Sequence, residues 1–101
     1  MEQKIIANLP LEKIERICAK YRIRELALFG SALRADFGKR SDYDLLVEFE
    51  PDAQVGFLTL AGAARELSAV VGRKVDLVPK AGLKPKIRES VLSSAKVLYA
   101  A

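Results

Sequence analysis

The sequence contains no histidine and a single cysteine, and these scarcities remove most of the common catalytic chemistries. Without an imidazole there is no Ser-His-Asp triad, no Cys-His pair and no ordinary zinc site. Acid–base work and metal ligation fall to carboxylates instead. Cys18 permits no intrachain disulfide and fits a reducing, cytoplasmic setting. It lies on an apolar helical face with no base to activate it, so it reads as a buried structural thiol. Aromatics are few, three tyrosines and four phenylalanines, and the basic residues are scattered, which argues against a nucleic-acid groove. The formal charge of +4 favours a phosphate-bearing ligand only weakly. No apolar run approaches the roughly 18 residues of a membrane span, and Met1 to Lys4 open no signal peptide. The expectation is a soluble cytoplasmic protein without a membrane partner. Its 101 residues suit one domain, 1–101, with no repeat or linker.

What is present alternates between two periodicities. Leu11, Ile14, Ile17, Cys18 and Tyr21 recur at helical spacing after Pro10, predicting a helix over about 10–20. Arg22 to Arg24 form a polar link, and Glu25 to Phe29 read as a strand apolar on both faces. Ser31 is a good N-cap for one or two helical turns over 32–37, broken by Gly38-Lys39-Arg40-Ser41. A second strand covers Tyr43 to Glu50 and stops at Pro51. In it Tyr43, Leu45, Val47 and Phe49 face one way and Asp44, Leu46 and Glu48 the other. Val55 to Val71 predicts a longer helix with Leu60, Ala61, Ala64, Leu67 and Val71 on one stripe, capped by Gly72. Val75 to Val78 makes a third strand. Leu83, Ile87, Val91 and Leu92 mark a last helix, and Val97-Leu98-Tyr99 an edge strand. The order α-β-α-β-α-β-α-(β) implies an α/β (α+β) fold, a sheet covered by helices.

The stretch from Gly30 to Val47 carries the chemistry. A Gly30-Ser31 turn after a buried strand offers backbone N–H groups and a hydroxyl to an anion. Asp42 and Asp44 leave the second strand by one face with Cα atoms about 6.6 Å apart. Asp76 sits inside the third strand. Acids within short apolar strands are local inconsistencies of the kind found at functional sites. Two carboxylates about 5 Å apart repel by roughly 3 kcal/mol at an effective dielectric of about 20. That is a large share of a domain stability of about 5–15 kcal/mol. A hard cation relieves it, and oxygen ligands alone point to Mg²⁺ or Mn²⁺. Taken singly, each residue has a plainer reading. Asp42 could cap a turn, Asp76 could pair with Lys74 or Arg73, and Arg34 and Lys39 could be solvated charges. Gly-Ser turns are common. Together, in a strand–turn–helix–strand setting, they describe a holder for a metal-bound nucleotide.

Gly30-Ser31, ten residues, then Asp42-Tyr43-Asp44 resembles the signature of the nucleotidyltransferases of the polymerase-beta-like superfamily. Nearly the whole chain is similar to the minimal nucleotidyltransferases, antitoxin-like proteins encoded beside HEPN-domain toxins. Val75-Asp76-Leu77-Val78 and the segment Leu83 to Glu89 share that likeness. One departure is Ala35, where many relatives carry glycine after the arginine matched here by Arg34. The resemblance implies a small mixed sheet of the nucleotidyltransferase fold. It implies Asp42, Asp44 and Asp76 as catalytic residues on Mg²⁺, and Gly30, Ser31 and Arg34 as nucleotide-binding. ATP would be the substrate and a tyrosine hydroxyl of a HEPN toxin the AMP acceptor. Larger relatives bind the second substrate on an added helical domain that this chain lacks, so the acceptor surface must come from another molecule. Two alternatives stay open: an antitoxin that neutralises its partner by binding alone, and nucleotidyl transfer to a small molecule. Homo-oligomerisation is also open.

Overall fold

The computed structural model describes residues 9–30 and 42–101. The 32–37 turns and the Gly38–Ser41 break expected from sequence lie outside these residues, as do Ser31, Arg34 and Lys39. The order is helix α1 (Leu11–Lys20), strands β1 (Ile23–Phe29) and β2 (Tyr43–Phe49), and helix α2 (Phe57–Val71). Strand β3 (Val75–Pro79), a single 3₁₀ turn, helix α3 (Pro85–Ser94) and strand β4 (Lys96–Ala100) follow. The mixed sheet runs β3-β2-β1-β4. β1 pairs antiparallel with both β2 and β4, and β2 pairs parallel with β3 through the α2 crossover.

Alternation along the central strands sorts their side chains onto two packed faces. Leu26, Leu28, Leu45 and Val47 meet Ile14, Ile17 and Cys18 of α1 and Ala63 and Leu67 of α2, all buried. Ala27 and Leu46 meet Leu83 on the other face, with Phe29, Val78, Val91 and Ala95 packed around them. This is why β1 and β2 read as apolar on both sides. α1 starts one residue after Pro10, as the missing N–H there allows.

Beyond one-residue shifts at strand ends, the structure departs from expectation for physical reasons. β1 begins at Ile23 rather than Glu25, because a register shift between Ile23 and Glu25 buries Ile23 opposite Phe49 and leaves Arg24 exposed. Arg22 takes a left-handed φ of 59° to turn the chain out of α1. α2 starts at Phe57 behind Gly56; of the expected stripe Leu67 is buried and Leu60 and Val71 pack against the core, whereas Ala61 is exposed and Gly62 and Ala63 are buried instead. Gly62 is buried because Tyr21 lies across it: a Cβ there would stand 3.0 Å from the tyrosine oxygen. In the last helix Leu83 precedes the first turn and is buried, whereas Ile87 and Leu92 remain exposed. Gly72 (φ 78°) ends α2 in the left-handed cap the sequence predicted. Among the described residues no helix is long and apolar enough to cross a membrane.

Candidate functional site

Asp44 sits at the start of β2, on the face shared by Leu46, and its register partners fix its surroundings. On one side Phe29 pairs with it, so Gly30 follows immediately beside it. Gly30 adopts φ 72°, a conformation glycine takes without steric cost. A Cβ on Gly30 would stand 2.5 Å from Oδ2 of Asp44, so any other residue there would push the carboxylate aside. Glycine here therefore lets the turn backbone close on the carboxylate. On the other side, parallel pairing sets Asp76 directly opposite Asp44. Paired residues on neighbouring strands project to one face about 4.8 Å apart. The two acids thus stand side by side at one end of the second face, Asp44 half-buried and Asp76 exposed.

Asp42 lies just before β2, half-buried, with Lys74 Nζ 4.0 Å from its Oδ2. An ion pair this exposed contributes little to stability. The Tyr43 N–H donates to the Lys74 carbonyl at 2.9 Å, which ties the Asp42–Asp44 segment to the start of β3. Arg73 lies over the Tyr43 ring at 5.2 Å. The cations next to Asp76 in sequence are thus directed to the neighbouring strand. Of the sequence-predicted site residues, Gly30, Asp42, Asp44 and Asp76 gather at one end of the sheet, while Ser31 and Arg34 fall outside the described residues.

Among the described residues no group of three or more Asp, Glu, Cys or His is close enough to cage a metal ion by itself. The donors that are adjacent, Asp44 and Asp76, are hard carboxylate oxygens, and Asp42 flanks them. That set suits a Mg²⁺ ion, which usually takes one or two carboxylates and completes its octahedron with water and substrate phosphates.

Cys18 is fully buried, and burial, helped by Glu15, pushes its thiol up to about 12. It is thus inert as a nucleophile. Two polar clusters escaped the sequence reading because their members are far apart in the chain. At the opposite end of the second face, Lys80 bonds to Glu25 and lies 3.8 Å from Glu48. The alternation of β2 was the available signal, since it put Glu48 on Asp44's side. Beside the first face, the Tyr21 hydroxyl and Lys20 both donate to Glu66 of α2.

The nucleotidyltransferase domain family model matches residues 11–98. The chain is 36% identical over 95 residues to the protein adenylyltransferase MntA of Thermococcus cleftensis, covering 86% of this chain and 94% of that one. It is similar to a solved structure assigned as a minimal nucleotidyltransferase, at 35% identity and a TM-score of 0.70, with 84% of this chain and 85% of that chain covered. It shares its fold with a structure of a tri-AMPylated Shewanella oneidensis HEPN toxin in complex with MNT antitoxin. There the TM-score is 0.63 at 19% identity, covering 100% of this chain and 74% of that one.

Proposed function

This chain belongs to the nucleotidyltransferase domain family and is a nucleotidyltransferase, and from that premise we propose that it transfers AMP from ATP to a tyrosine hydroxyl of a HEPN-type toxin. The single observation behind the active-site assignment is the in-register pair Asp44–Asp76 with Gly30 closed against it. The donor and acceptor follow the relatives: an adenylyltransferase at 36% identity, and a shared fold with the antitoxin of an AMPylated HEPN toxin.

In this reading the backbone at Gly30, with Ser31 and Arg34 beyond it, binds the β- and γ-phosphates and orients the α-phosphorus. Asp42 and Asp44 hold Mg²⁺ (Mn²⁺ as a substitute), with Asp76 completing the set. The ion, when bound, neutralises charge that develops on the phosphoryl oxygens. The acceptor oxygen attacks the α-phosphorus in line as the bond to the bridging oxygen breaks and pyrophosphate leaves. As the alternative to ligation, Asp76, the exposed acid, takes the proton from the acceptor hydroxyl. Exposed apolar side chains offer a partner somewhere to bind: Phe57 (82%) and Leu58 (84%) at the start of α2, and Ile87 and Leu92 on α3, which packs through Val91 on the second face of the sheet.

The test is incubation with α-labelled ATP, Mg²⁺ and the protein encoded by the adjacent reading frame. Labelled acceptor is expected from the native chain, with a loss of about 10²- to 10³-fold for Asp44→Asn, which removes a charge that holds the ion at the transition state. Label transferred undiminished by the Asp42→Asn/Asp44→Asn double variant would reject the assignment. If that variant transfers nothing yet still neutralises the toxin, binding alone is the protective act.

A further inference from the structure

Ser68 lies in α2, half-buried, one helix end and one turn before Asp76. Its hydroxyl donates to the Ala64 carbonyl at 2.7 Å, the back-bond common for serine within a helix. The oxygen does a second job that such a serine does not need to do. It accepts the backbone N–H of Val75 at 3.0 Å. Val75 opens β3, an edge strand of the sheet, and is buried. Its N–H needs a partner, because an unpaired buried amide is costly. The carbonyl of Ser68 also accepts the Gly72 N–H at 3.0 Å. One residue therefore grips both ends of the turn 72–74 that delivers Asp76. From the sheet side, the Tyr43 N–H holds the Lys74 carbonyl of the same turn.

We propose that Ser68 is a positioning residue of the active centre: through the Val75 N–H it sets β3 in the register that places Asp76 beside Asp44. It touches neither nucleotide nor acceptor. This rests on the assignment of Asp76 given above and adds to it the group that aims that carboxylate. Partners that orient a metal ligand without ligating typically change metal affinity or activity by about 10- to 100-fold when removed.

Three variants decide it: Ser68→Ala removes the acceptor, Ser68→Cys offers a weak one, and Ser68→Thr keeps the hydroxyl. The measurements are AMP transfer at varied Mg²⁺, and hydrogen exchange of the Val75 and Asp76 amides in the protein without nucleotide. Ser68→Ala and Ser68→Cys are expected to exchange faster at Val75 and Asp76 than elsewhere in β2 or α2. They should also need about tenfold more Mg²⁺ for half-maximal transfer, with Thr restoring both. A variant that melts earlier but keeps native Mg²⁺ dependence, or unchanged exchange at Val75, would overturn the proposal. Asp76→Asn runs alongside as control. If it transfers AMP normally, the active-site assignment has failed. If it is inactive while the Ser68 variants match the native chain in Mg²⁺ dependence, only the role of Ser68 has failed.

Discussion

At the scale of single residues, Gly30 and Cys18 show opposite uses of a small side chain. Gly30 is small so that backbone can reach a carboxylate. Gly30→Ala combines a left-handed φ with a Cβ 2.5 Å from Asp44 Oδ2. The φ alone costs about 1–2 kcal/mol, and the clash must push Asp44 aside. We expect AMP transfer to be lost while the protein still folds, checked by circular dichroism beside the labelling assay. Cys18 is small so that α1 can sit close on the sheet. Its thiol, ordinarily near 9, is held up to about 12 by burial, so the folded chain keeps a proton that the unfolded chain releases. That contribution is fully present below pH 9 and is lost as pH rises toward 12. Alkylation by iodoacetamide at pH 8 should accordingly be slow in the folded protein and rapid in urea.

Among elements, α1 and α2 are joined outside the apolar core by the Tyr21–Glu66–Lys20 cluster. The hydrogen bond from Tyr21, then that from Lys20, holds the Glu66 carboxyl below its usual range. A depressed carboxylate stabilises the fold above its ordinary value and ceases to as pH falls through the folded one. Tyr21→Phe should therefore lower the urea midpoint at pH 7, and by progressively less as pH falls and the Glu66 carboxylate takes up its proton. Sequence could announce these helices but not their meeting. Ile14, Ile17 and Cys18 form a stripe legible by period alone, and α1 appears where the spacing puts it. α2 is rich in alanine, which marks neither inside nor outside, so helical period alone turns Ala61 inward where the structure buries Ala63. The decisive fact there was Tyr21 lying on Gly62, a contact between distant residues. Strand alternation was the more dependable guide. It put Asp44 opposite Leu45 and Val47, and left only the pairing of β2 with β3 to be seen. Ser68 carried no signal in sequence, because its partner is a backbone amide.

For the molecule as a whole, the acidic pair predicts a linkage between ligand and fold. Mg²⁺ with ATP at a hundred times Kd should add about 2.7 kcal/mol of stability by mass action. In a domain of this size that raises Tm by on the order of 10 °C. Differential scanning calorimetry of the native chain and of Asp44→Asn checks it, and the variant should show little rise. The parallel pairing of β2 with β3 has one more consequence. During synthesis Asp44 leaves the ribosome well before Asp76, and the strand that carries Asp76 can dock only after the intervening helix has been made and folded back. A nascent chain thus cannot set Asp76 beside Asp44 until its third strand emerges.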